Sequence, residues 1–291
     1  MKKKISLSGE GNRADIGEYK INRILPNRYV DAVGPFVFLD HLLPTTHSPA
    51  EPKHKVNGTG AHPHRGIATL TYILNGEADH YDSGGNHALV HSGGAQWMKA
   101  GNGVVHDESI NVDSETTDLT THALQFWINL PSKNKAESPM YLPVQASDIP
   151  KKVLDDETGW LKVIVGAYGE LASKVPDYSR QFVYHIHLEA EKKFSIESEK
   201  GLEYAAFLPL HDVMINDTTF SKEEFIEFDR EEGTIEFNNP STDAVDIILF
   251  GGESFNEPIV AQGPFVMNSA LEISEAYRDF HSGKYGKINY N

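Results

Sequence analysis

The stretch that decides the fold runs from Ala61 to Ile110: AHPHRGIATLTYILNGEADHYDSGGNHALVHSGGAQWMKAGNGVVHDESI. It opens on His62-Pro63-His64 and closes on His106-Asp107-Glu108. Both segments read as β-strand, and side chains alternate faces along a strand. His62 and His64 therefore share one face, and His106 and Glu108 share another. If the two strands neighbour each other in a barrel, three imidazoles and one carboxylate converge, which is a metal site. Ten of the fourteen histidines fall between His41 and His122, so such pairs also arise as ordinary surface polarity. Glycines at 58, 60 and 66, and at 101 and 103, bracket the two pairs and permit the sharp corners of a barrel. Spacing alone leaves the metal site and the surface reading equally open.

A His-x-His block followed by a Gly-rich block ending in His resembles the two motifs of the cupin superfamily. More narrowly, HPHRG at 62–66, QWM-x-AG-x-G at 96–103, HDE at 106–108 and GGESFNEPIVAQGPFVMN at 251–268 resemble the pirin family. The resemblance runs from about Gly34 to the C-terminus. It implies an all-β fold of two cupin barrels in tandem, each a double-stranded β-helix or jelly roll, with a short C-terminal α-helix. It also implies a metal held by His62, His64, His106 and Glu108. Two positions depart from the pattern. Ala68 and Thr69 stand where cupins in general place a Glu; in pirins that carboxylate comes from the second block, which Glu108 matches. His91-Ser-Gly-Gly stands where relatives often carry Pro-Gly-Asp.

The chain has 291 residues, long enough for two domains. Hydrophobic content of 39% with 10% aromatics supports a packed core and excludes disorder. A net charge of −16 suits solubility and opposes phosphate backbones and anionic membranes, so no direct nucleic-acid or membrane partner is expected. With no cysteine, the chain can form no disulfide, thiolate metal site or cysteine nucleophile. The start MKKKISLSGEG lacks the apolar run of a signal peptide, and no segment reaches the length of a membrane span. A cytoplasmic monomer is the expectation.

Alternation from about Glu18 to Leu25 predicts a strand that ends at Pro26, and residues 43–60 read as a loop bordering a site, with His47 and His54 on its surface. Thr69–Leu74 and His122–Leu130 read as strands, with Gln125 a candidate to support the metal ligands. His80 and His87 flank a turn and read as ordinary polar positions. The Pro-rich segment from Pro131 to Pro150 is the best candidate linker, which divides the chain at 1–138 and 139–291. Strands recur after it, so the second half is expected to be a cupin-like barrel without metal. There His185-Ile-His187 repeats the i, i+2 spacing, but no second ligand block follows, and the pair reads as strand-surface or interface polarity. Ser269-Ala-Leu-Glu272 predicts a helix start and Gly283 its end, with packing across the two halves as its expected role.

Three neutral imidazoles and one carboxylate suit Fe(II), Mn, Ni, Cu, Co or Zn, and leave an octahedral ion two open positions. The resulting net +1 favours an anionic chelating ligand such as an enolate beside a carbonyl. The resemblance carries this further. Pirin-like proteins include quercetin 2,3-dioxygenases, which open a flavonol with O₂, usually with iron in this family. Their metal-bound Glu is proposed to accept the substrate's proton, a role that passes to Glu108. The alternative reading is a non-enzymatic, iron-dependent and redox-sensitive protein-binding regulator, since pirin itself is described as a partner of transcription proteins.

Overall fold

The computed structural model describes residues 1–291 except Glu18, Glu51, Pro52, Lys53 and Lys55. The described chain is built from strands, with one α-helix near its C-terminus. It divides into two compact units, and each takes two pieces of chain. One comprises residues 39–148 and 256–291; the other comprises 1–38 and 149–255. This differs from the contiguous division at 138. The Pro-rich segment is no linker: its Met140–Val144 pairs along Ala95–Lys99 as an edge strand of the first unit. The division falls instead after Asp148, and chain termini are exchanged in a way that local composition does not encode.

The strands of the first unit are β1 (Phe36–Thr46, of which residues from Leu39 belong here), β2 (His62–His64), β3 (Ile67–Asn75) and β4 (Glu77–Asp82). They continue with β5 (His87–Val90), β6 (Ala95–Lys99), β7 (Val104–Asn111), β8 (Thr120–Asn129) and β9 (Met140–Val144). One sheet has the order β2–β7–β4–β5, and the other runs β9–β6–β3–β8–β1. This is a cupin barrel. The strand expected from Glu18 begins at Ile21, with Glu18 itself outside the described residues. The loop expected from residue 43 begins later, because β1 continues through Pro44 to Thr46. Residues Ile67 to Ile73 of β3 are all buried, so both faces of this strand are covered. Tyr72, Trp97 and Phe126 are among its largest fully buried side chains.

The tail of this unit is locked onto the turn after the first histidine pair. Gly66 has φ +82°, and a Cβ there would stand 2.0 Å from the carbonyl oxygen of Val266. Gly103 has φ +126°, and its Cβ would meet the Tyr285 ring at 2.1 Å. Both glycines of the motif are thus required by close approach as well as by conformation. The helix α1 (Ala270–His281) starts at Ser269, whose hydroxyl accepts from the backbone N–H of Glu272. Its buried Ile273 and Ala276 join Phe265, Met267 and Tyr285 in one cluster, so its documented packing lies within this unit. The helix, drawn from the second half of the sequence, thus packs with Val105 and Arg65 of the first half inside one unit.

The other unit has its own two sheets. In the larger, Ile5–Glu10, β13 (Glu224–Phe228), β12 (Leu202–Phe207), β14 (Val245–Glu253), β11 (Gln181–Leu188), β10 (Gly159–Val165) and Lys151–Val153 lie in that order. A four-stranded sheet accompanies it, and the side chains of Leu161, Ile186, Tyr204, Ile226, Phe237 and Ile247 fill its core. This is the second cupin barrel.

One buried cation fastens the first unit. Lys135 is 4% exposed, and its ammonium donates to the carbonyls of Gly66 (2.8 Å) and Val266 (2.7 Å) and to Asn129 Oδ1 (2.5 Å). All three donors are satisfied, one of them by the tail. Burial lowers its pKa to about 7. The unfolded lysine titrates near 10.4, so the unfolded chain binds more protons between these values and stability rises with pH across that window. Lys135→Met, which leaves three acceptors unpaired, should lower stability at pH 7 by roughly 1–3 kcal/mol. It should also flatten the rise between pH 7 and 10 in urea melts compared with wild type. An unchanged slope would show that Lys135 does not titrate there.

Candidate metal centre

The strand β7 lies between β2 and β4, antiparallel to both. Its register sets His106 opposite His62 on one side and opposite Asp82 on the other, while Glu108 faces His80. Directly paired residues share a sheet face, and so do residues two apart. His62, His64, His106, Glu108, His80 and Asp82 therefore project from one face. Asp107 projects from the other, where its Oδ2 accepts from Gly58 N (2.7 Å) and from the Tyr290 hydroxyl (3.0 Å).

The three predicted histidines come together. Their ligand nitrogens lie within 4.8 Å of one another, and Nε2 of His62 and His106 are 3.0 Å apart. His62 Nδ1 lies 2.7 Å from the Gly60 carbonyl, and His64 Nδ1 lies 3.1 Å from that of Pro264. Only a protonated Nδ1 can bond a carbonyl, which leaves Nε2 with its lone pair on both rings. Burial, reinforced by the neighbouring imidazoles, lowers His64 to about 3 and holds His106 well below the ordinary histidine value. Among the described residues, the buried Nδ1 of His106 has no hydrogen-bond partner. Three imidazoles crowded nitrogen to nitrogen, with Nε2 of His62 and His64 left as acceptors, suit a divalent cation.

Glu108 is placed beside this trio but in a second group, with His80 and His106, whose ligand atoms also lie within 4.8 Å of one another. Its two oxygens are held from the opposite sheet. Gln125 Nε2 donates to Oε1 at 2.5 Å, and Gln96 Nε2 donates to Oε2 at 2.6 Å. Gln96, Thr71 and Gln125 form a row across β6, β3 and β8, paired directly in register. The Tyr141 hydroxyl donates to Gln96 Oε1 at 3.0 Å, which fixes the amide with its NH₂ toward the carboxylate. Tyr141 in turn stacks on His80, ring centroids 4.0 Å apart and 2° from parallel.

Gln125, the candidate for supporting the ligands, bonds the Glu108 carboxylate. His80, expected as an ordinary polar position, joins the group, and so do Asp82, Gln96 and Tyr141, which the sequence does not single out as site residues. The signal for the first two existed, since alternation puts His80 and Asp82 on one face of a strand. The cross-sheet contacts of Gln96 and Tyr141 carry no local signal. In the other unit, His185 and His187 both bond Asp246 Oδ1, at 2.9 and 2.8 Å, with the Trp160 ring against them.

Two family models match the chain: Pirin over residues 18–128, and the Pirin C-terminal cupin domain over 183–286. A Pseudomonas aeruginosa protein named "Putative quercetin 2,3-dioxygenase" is 32% identical, over 98% of this chain and 99% of its own length. A crystal structure described as quercetin 2,3-dioxygenase from Acinetobacter baumannii is 30% identical, with TM-score 0.88 over 99% of this chain and 100% of that one. A bacterial pirin of Escherichia coli, solved in complex with nickel(II), shares the fold: TM-score 0.63 at 19% identity, over 87% of this chain and 98% of that one.

The amide pair leads to a prediction independent of turnover. Partners that orient a ligand typically change metal affinity by about 10–100-fold when removed. Gln96→Leu and Gln125→Leu should each weaken Co(II) binding by about that factor and shift its visible absorption bands. Unchanged bands and affinity in both variants would show that Glu108 needs no such support.

Proposed function

This chain belongs to the pirin family, and on that premise we propose that it is a metal-dependent dioxygenase of the quercetin 2,3-dioxygenase type. Its substrate would be a flavonol or a similar enolic hydroxy-ketone, with O₂ as co-substrate. The observation that carries the reading is the convergence of three imidazoles beside an anchored carboxylate. His62, His64 and His106 would hold the ion, with Glu108 as fourth ligand at about 2.0–2.2 Å. Iron(II) is the metal we favour. When bound, it would supply Lewis acidity toward a deprotonated hydroxyl and carbonyl, and redox access to O₂.

The protein's own part is proton handling and orientation. Glu108 accepts one amide N–H on each oxygen, and each oxygen keeps a further lone pair. The carboxylate is thereby aimed, and the remaining lone pairs can take the proton of a substrate hydroxyl. The conjugate anion left by that proton transfer would complement the positive charge of a divalent ion.

Glu108→Gln keeps size and an oxygen donor but removes charge and basicity. Turnover per bound metal should fall by roughly 10²–10⁴-fold, measured as flavonol-dependent oxygen uptake and loss of flavonol absorbance. Wild-type activity in that variant would remove the base role alone. Absence of flavonol-dependent uptake by wild type loaded with each of Fe, Mn, Ni, Cu, Co and Zn would end the dioxygenase assignment.

A further inference from the structure

A second group of ligand-type side chains stands away from the three-histidine centre. Glu77 opens β4, His91 follows β5, and Asp113 lies just beyond β7. These are three neighbouring strands of one sheet, and the pairings Asn111 to Glu77 and Ala78 to Val90 bring their ends together. One donor atom from each residue lies within 4.8 Å of the other two. Asp113 Oδ1 is 2.9 Å from His91 Nδ1, and Glu77 Oε2 is 3.8 Å from it. Donors about 2.1 Å from one ion stand roughly 3.0 Å apart at right angles and about 3.4 Å apart at the tetrahedral angle. The observed separations bracket those values.

Three features set this cluster apart from a chance meeting of surface acids. Both carboxylates are buried, Glu77 at 4% and Asp113 at 5% exposure. Both are positioned by hydrogen bonds: Ser114 donates through N (2.7 Å) and Oγ (2.5 Å) to Oε2 of Glu77, and the backbone N–H groups of Ser92 and Glu115 donate to Oδ2 and Oδ1 of Asp113 at 3.0 and 2.9 Å. The imidazole between them can also free its nitrogen. Glu115 Oε1 lies 3.5 Å from His91 Nε2, on the side where the ring proton would move as Nδ1 becomes a donor. A cavity of about 580 Å³ meets the cluster at His91 and Asp113 and is lined further by Gln145 and Ser147. It admits an ion with its water.

We propose that Glu77, His91 and Asp113 form a second divalent-cation site at the strand ends of this barrel. One imidazole with two carboxylates suits a borderline-to-hard ion, Mn(II) or Zn(II), with water completing the shell from the cavity. The competing state is a proton: a charged His91 paired with Asp113. Metal and proton exclude each other at Nδ1.

The experiment counts bound Mn(II) by electron paramagnetic resonance of the free ion, and bound Zn(II) by metal analysis after gel filtration. It uses the full chain, with circular-dichroism melts to establish folding. We expect one equivalent of at least one of these ions to vanish in His91→Gln and to survive in the double variant His62→Ala, His64→Ala. Glu77→Gln, which keeps the shape of the site, should lose the same equivalent if His91→Gln fails to fold. Equal stoichiometry in wild type and the folded variant for both ions overturns the second site and leaves a proton-bridged histidine. So does loss of every equivalent from the folded double variant.

Discussion

The register of β7 between its two neighbours is the constraint on which the rest of the first unit depends. Because His106 pairs with His62 on one side and with Asp82 on the other, one sheet face carries the ligand trio, and Glu108 and His80 stand together one pair further along. A slip of one residue on β7 would turn His106 and Glu108 to the opposite face and bring Asp107 in. Asp107 resists that slip. Its carboxylate is bonded to Gly58 and Tyr290 on the far face. The same contact holds the chain that leads to His62, whose Nδ1 needs the Gly60 carbonyl. Register and ligand orientation are thus fixed by one residue that is not itself a ligand.

The tail explains how so polar a face can be buried. Pro264 supplies the carbonyl for His64, and Val266 accepts from Lys135. Arg65 meets Asp279 of the helix at 3.0 Å. Residues near 270 therefore complete a site whose ligands lie near 62 and 106. This is the physical reason why the unit is discontinuous in sequence.

Much of the candidate site was legible in the sequence, and for identifiable reasons. Period-two alternation is local, so His62 with His64 and His106 with Glu108 could be assigned to shared faces from spacing alone. Gly66 and Gly103 were expected for sharp corners; the close approaches of Val266 and Tyr285 that also require glycine there could not be read. What stayed hidden depends on pairing between distant strands. Nothing in the sequence near Gln96 or Tyr141 says that they reach Glu108. Proline-rich composition at 131–150 signalled irregular chain, yet proline also sits on edge strands, and there Pro143 pairs with Gln96. The exchange of termini between the units had no local signature at all.

The geometry around Glu108 bears on how a single carboxylate can serve as both ligand and base. A carboxylate coordinated to a cation with no other partners is a poor base, because the cation already satisfies its charge. A carboxylate with free oxygens is a better base but a loosely held ligand. Here two neutral amides, one per oxygen, hold the group by hydrogen bonds in a partly buried setting, where such bonds are stronger than in water. They fix orientation without bringing a formal positive charge that would suppress proton uptake. Lysine or arginine at 96 or 125 would hold the carboxylate more tightly and, by the same electrostatics, would lower its affinity for a proton and repel the metal. Neutral donors are therefore the choice that keeps both roles open on one side chain.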